Sequence, residues 1–184
     1  MEQNGHYQSE RWTYRSGWRW YPVPAAFLAM VLAFYVGATT QMSNSEALAF
    51  EQLWEEILSG INSPMSIFLN NCGIALVMLV PILGAPFAMY VGYSSGLVIA
   101  ALSQTKNVDP VTLLTLTVLN PIGAMEFIAY AISITQGLLI VYAIYRKHLR
   151  DEARNAAITI LIVSAILLVE AFLEFEVIKG ALVQ

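Results

Sequence analysis

Charge is what this sequence has least of. Only 12% of its residues are charged, about half the share of an ordinary soluble domain. Hydrophobic residues make up 58%, and the mean hydropathy is +0.62. Such a chain cannot cover its surface with polar groups, so a water-soluble domain is excluded and lipid is the expected surrounding. The net charge of −4 lacks the basic face that nucleic acid requires. Cysteine is reduced to Cys72, which lies in an apolar run and has no internal disulfide partner. Histidine is limited to His6 and His148, too far apart for metal-site spacing. A glycine-rich phosphate loop and a nucleophile–base pair are missing as well. The expectation is a chain with no catalytic residue, no metal and no cofactor.

What remains is organised by long apolar runs. Residues 1–22 form an aromatic and basic segment, with Arg11, Arg15 and Arg19 set among Trp12, Tyr14, Trp18, Trp20 and Tyr21. Arginines flanked by Trp and Tyr ahead of an apolar stretch fit a cytoplasmic membrane interface, and three are too few for a nucleic-acid footprint. Residues 23–180 read as a single transmembrane helical domain. Its first span is Val23–Thr40. Val36-Gly37-Ala38 could end a signal peptide, but the preceding region is too long and bulky, so the span is expected to stay. Asn44-Ser45 offers an N-cap for an amphipathic helix over 45–59. There Phe50, Leu53, Trp54 and Ile57 recur at helical spacing, opposite Glu51, Glu55 and Glu56. An acidic polar face disfavours anionic lipid, so this helix lies across the bundle or docks on a partner.

Ile67–Ser103 runs 37 residues without a formal charge, too long for one crossing and about right for two short ones. Pro81, Gly84 and Pro86 supply the break. Asn70 and Asn71, polar for their depth, suit interhelical hydrogen bonds or an interfacial cap. In the next span Ala88, Gly92, Gly96 and Ala100 recur every fourth residue, a ridge of small side chains that lets another helix come close. Val111–Tyr145 is another 35 residues, with Glu126 its only charge. Asn120-Pro121 divides it into a piece too short to cross, Val111–Leu119, interfacial or re-entrant, and a full span, Ile122–Tyr145. The last span is about Ala156–Leu173. With five spans and a cytoplasmic N-terminus, the basic loop holding Arg146, Lys147, Arg150 and Arg154 is also cytoplasmic. Seven of the nine basic residues then lie inside, as the charge rule for membrane proteins asks, and the C-terminus lies outside.

Glu126 is about 19 residues before the cytoplasmic edge at Tyr145, which places it close to the outer boundary. Glu170 and Glu174 share a helix face near the outer end of the last span, so three carboxylates converge in depth. Two readings stay open. In one, these acids, Asn120 and exposed carbonyls at the break coordinate or relay a cation or proton. In the other, Glu126 pairs with free N–H groups at its own helix start, with Lys106 or Lys179 within reach of the acids. Gly84-Ala85 with Phe87, Gly96 and Leu97 weakly echoes Gly123-Ala124 with Phe127, Gly137 and Leu138. Inverted repeats mark many transporters, but this match needs gaps, and coincidence accounts for it.

The order of these features resembles the stage II sporulation protein M family of integral membrane proteins. The likeness lies in Phe68-Leu69-Asn70-Asn71 opening an apolar hairpin and in the Gly-rich centre Tyr90-Val91-Gly92-Tyr93-Ser94-Ser95-Gly96. It continues in Asn120-Pro121-Ile122-Gly123-Ala124-Met125-Glu126-Phe127 and in Ala171-Phe172-Leu173-Glu174 at the end of the last span. The family's usual His before Gly is Ile122 here, and the Asn of its Asn-Gly is Ser95. The resemblance implies a membrane scaffold, since the sporulation member supports a peptidoglycan-remodelling complex, and no hydrolase site comes with it. The expected protein is an all-α polytopic bundle of about five spans, with one interfacial amphipathic helix and one broken or re-entrant helix. It is expected in the cell membrane, in contact with lipid and with other membrane subunits or further copies of itself. Its expected function is that of a non-catalytic scaffold or accessory subunit, assembled through the Ala88–Ala100 ridge, the acidic helix and the Trp/Arg segment. A small cation- or proton-coupled transporter using the buried carboxylates is the alternative.

Overall fold

The computed structural model describes residues 17–182. Arg11, Trp12, Tyr14 and Arg15 lie outside the described residues. A 3-10 turn, Gly17–Trp20, leads into seven helices: α1 Pro22–Ala38, α2 Asn44–Gly60, α3 Pro64–Met78, α4 Gly84–Lys106, α5 Pro110–Leu119, α6 Pro121–Arg146 and α7 Leu149–Leu182. The protein is all-α. Among the described residues four stretches are long and apolar enough to cross a membrane: Gly17–Ala38, α4, α6 and α7; α3 and α5 are shorter apolar helices.

Prolines mark where helices start. Pro22, Pro64, Pro110 and Pro121 each occupy the first turn of a helix, where the missing N–H would have had no partner. Side chains cap the neighbouring donors. Asp109 accepts from the Thr112 amide at 2.7 Å, and Asn120 from the Ile122 amide at 2.8 Å. Ser43, one residue before the expected cap, forms a reciprocal capping box with Glu46. At the other ends, Asn107 and Lys147 adopt left-handed backbone at φ 53° and 61°, closing α4 and α6. α7 is longer than its apolar core suggested: its first turns expose Arg150, Asp151 and Arg154 and bury Glu152 and Asn155.

α6 is the central helix. Two thirds of its most apolar window, 67%, is buried, against 28% for each of the other three long stretches. Phe127 on α6 meets Phe34 and Phe27 of α1, at centroid separations of 5.5 and 6.2 Å, and Leu114 and Val118 bring α5 into the same core.

The small-residue ridge on α4 has its partner within the chain. A β-carbon on Gly96 would collide with the Phe34 carbonyl and stand 2.7 Å from the Ala38 nitrogen; one on Gly92 would lie 3.1 Å from the Met30 carbonyl. Ala88 and Ala100 are buried along the same line. α1 therefore runs beside α4 at backbone contact, and the ridge is not the surface through which another subunit was expected to attach. Small side chains on both helices are what permit that approach.

Two more glycines explain the weak internal echo without any repeat. A β-carbon at Gly84 would collide with the Met78 carbonyl, and one at Gly123 with the Thr117 carbonyl. Each glycine lets a new helix start directly against the end of the one before it, so the similarity is a shared steric solution at two chain breaks.

α2 packs on α4 through Ala47, and Glu51 pairs with Lys106 at the α4 end. Leu53 and Ile57, expected on an inward apolar face, are half exposed. Glu51, expected on the polar face, points at the bundle instead. Phe50 and Trp54 of the expected apolar face stay partly buried beside Ala47 and Glu51, so the inward side of this helix is mixed and only Leu53 and Ile57 of that face turn outward.

Candidate functional site: two buried polar clusters

Glu126 sits in the second turn of α6, and Tyr130 follows one turn later on the same face. From α7, Glu170 and Glu174 approach the same place, and from α3, Asn71 does. Asn71 Nδ2 donates to Glu170 Oε2 at 3.3 Å, and Asn70 Nδ2 donates to Asn71 Oδ1 at 3.1 Å. Glu126 is within electrostatic reach of Glu174, and Glu170 of both. The three acids thus meet laterally as well as in depth.

This cluster is incompletely satisfied. Glu170 is fully buried at 0% exposure, and its Oε1 has no hydrogen-bond partner. The Tyr130 hydroxyl is also buried, without a partner at close hydrogen-bond distance, and interacts with Glu126. Among the described residues the ion pairs are Arg19–Glu152 and Lys106–Glu51, so Lys106 is committed elsewhere. Asn120 does not join the acids. Its side chain caps its own helix at an exposed position.

Glu126 also lies deeper in the bundle than the start of its helix suggested. Its neighbour Phe127 packs on Phe34, whose carbonyl faces Gly96. α4 continues ten residues beyond Gly96 to Lys106, roughly 15 Å of helix. α6 therefore starts well below the end of α4, and α5 carries the chain back into the bundle to meet it.

A second buried cluster escaped the reading of the sequence. Arg19, in the 3-10 turn, forms a two-pronged ion pair with Glu152 of α7, its Nη1 donating to Oε2 at 2.8 Å and its Nη2 to Oε1 at 2.5 Å. Gln136 of α6 donates to Glu152 at 2.6 Å and accepts from Arg19 at 3.2 Å. Asn155 donates to Glu152 at 3.3 Å and Thr159 to Gln136 at 3.0 Å. All five side chains are buried. The signal was present in pieces: Glu152, Asn155 and Thr159 recur at i, i+3 and i+7 on one helix face, and Gln136 is isolated in an apolar helix. Arg19 had been assigned to the interface with its neighbours.

Outside the bundle, two carboxyls have identifiable settings. Hydrogen bonds from Ser43 hold Glu46 below the ordinary glutamate range. The hydrogen bond from Lys106 does the same for Glu51.

Apolar helices of spanning length, packed at backbone contact around two polar clusters, define a polytopic helical membrane protein. Residues 23–175 match the Stage II sporulation protein M family, and the chain belongs to that family. No curated protein and no solved structure matches it. The matched region contains Asn70, Asn71, Glu126, Tyr130, Glu170 and Glu174, whereas Arg19 precedes it.

Proposed function

We propose that this protein is a non-catalytic scaffold or accessory subunit of a multi-subunit complex in the cell membrane, with its N-terminus in the cytoplasm. The observation that supports this reading is the backbone-to-backbone seam between α1 and α4. Helices locked by glycine at that distance cannot slide without collision, which suits a rigid platform better than a moving carrier. The platform presents two unlike surfaces. Glu55 and Glu56 are exposed on α2, and Arg146, Lys147, Arg150 and Arg154 are exposed around the α6–α7 turn. Basic residues in that turn favour the cytoplasmic side, and the Arg19–Glu152 pair draws the start of α1 to the same end. With α1, α3, α4, α6 and α7 as the five crossings, the C-terminus falls outside. Native mass measurement of the gently solubilised full chain tests the proposal. A larger assembly, of other subunits or of further copies, is expected; a lone monomer counts heavily against it.

A second reading, proton- or cation-coupled transport, draws on one observation, the unpartnered Glu170 oxygen beside Glu126 and Glu174. Its test is flux in reconstituted vesicles, which Glu126→Gln should abolish while leaving the fold intact. Unchanged flux ends that reading.

A further inference from the structure

The acid cluster has too little positive charge around it for its number of carboxyls. α3 contributes Asn71 and carries no charged residue; α6 contributes Glu126 and Tyr130, and its other charge, Arg146, is at its far end. α7 contributes Glu170 and Glu174 themselves; its Glu176 and Lys179 are exposed, and Lys179, expected within reach of the acids, makes no ion pair among the described residues. Adjacent carboxylates in a low-dielectric setting without a counter-charge cannot all ionise, and such groups share protons.

The hydrogen-bonding geometry shows where a proton fits. Glu170 Oε2 already accepts from Asn71, whereas Oε1 is buried and has no partner. A bare carboxylate oxygen in that position forfeits the hydrogen bonds it would have in water. A protonated Oε1 becomes a donor, and the carboxylate of Glu174, one turn along the same helix, is an acceptor within reach. The Tyr130 hydroxyl, equally buried and aimed into the cluster, is a donor for Glu126. Among the described residues no group of three carboxylate, cysteine or histidine side chains has metal-binding geometry, which favours a proton over a multidentate cation.

We propose that Glu126, Tyr130, Glu170 and Glu174 form an intramembrane proton-binding site, with the proton carried on Glu170 Oε1 and shared with Glu174. Binding forms one O–H bond on Glu170 and neutralises one negative charge; release returns that proton to water and restores the carboxylate. The proposal deepens the transport reading by naming the ligand. A proton held without any flux would leave this site standing and remove only transport.

The test is infrared difference spectroscopy on the full-length protein in lipid vesicles, at a pH where exposed carboxylates are ionised. The native protein should show the carbonyl stretch of a neutral carboxylic acid, shifted in heavy water. Glu170→Gln should remove that band. Glu174→Gln should move it by removing the acceptor, and Glu176→Gln, at an exposed position on the same helix outside the site, should leave it in place. Exchanging sodium for potassium should change nothing. A native spectrum with no neutral-acid band overturns the proposal, and this readout needs no variant to fold. A band that survives both glutamine substitutions also overturns it. So does a band abolished by sodium or potassium, which would make the site one for an alkali cation.

Discussion

Arg19 and Glu170 are both almost wholly buried charged residues, yet they live in opposite conditions. Around Arg19, four side chains from two helices close a network in which Glu152 uses both oxygens and Gln136 serves as donor and acceptor at once. Around Glu170, two further acids and a tyrosine gather, and two polar atoms are left unpaired. A buried ion pair that is fully hydrogen-bonded fixes geometry. A buried polar group left open is costly, and a fold that keeps one has a use for it more often than not. The contrast sets a closed ion-pair network, with only the Thr135 hydroxyl unpartnered beside it, against an under-satisfied acid cluster in the same bundle.

The comparison can be broken most severely at the ion-pair network. Glu152→Ala leaves the Arg19 guanidinium buried without its counter-charge and should destabilise the protein by about 3–5 kcal/mol. Reversible unfolding in mixed micelles measures this. Adding Arg19→Met should recover most of the loss, because the stranded charge is then gone; no recovery would mean the network does more than neutralise charge. Next in size is a break that touches neither cluster. Gly96→Val drives a side chain into the α1 backbone and should cost about 1–3 kcal/mol, measured the same way. If it costs nothing, the seam is looser than the geometry shows.

The acid cluster should respond far less. Glu170→Gln replaces an under-satisfied carboxyl with an amide that can donate to Glu174, and stability should stay within about 1 kcal/mol of the native protein. A loss as large as that of Glu152→Ala would make the two clusters equivalent and erase the distinction. The smallest effect lies on α2, outside the bundle. Glu46 and Glu51 both titrate below the ordinary value of 4.5. A lowered folded-state value means that each contributes stability above pH 4.5, which is lost as pH falls through the folded value. The protection of α2 amides relative to their intrinsic exchange rate should therefore fall in acid below that point, while α6 stays protected. Ser43→Ala should remove the Glu46 share of the change and leave the Glu51 share.

The sequence made some of this legible and hid the rest for physical reasons. Segment length against bilayer thickness divided both long apolar runs at the right prolines, because a charge-free stretch of 37 residues has few ways to fold in lipid. Fourfold spacing of small residues exposed the α4 seam but not its partner, since any helix with small side chains could fill it, and α1 does. Glu170 and Glu174 were visible as a helix-face pair. That Asn71 would meet them depends on how α3 lies against α7, which no local pattern records. The Arg19 network depends on one contact between the first and last helical elements, whereas its Trp and Tyr neighbours in the sequence place that arginine at the membrane interface. Glu126 was expected near the edge because it lies about 19 residues of helix from Tyr145. α5 shows why it is not there.

The ion pair between Arg19 and Glu152 also has a consequence in time. The two residues are separated by 133 positions, roughly 7–27 s of synthesis at about 5–20 residues per second. Throughout that interval Arg19 waits without its acid, at the mouth of a segment already suited to lipid. Helices α1 to α6 and the first turn of α7 must be made before the contact can close. The pair therefore forms only as the last helix begins, and it ties the start of that helix to the start of the first.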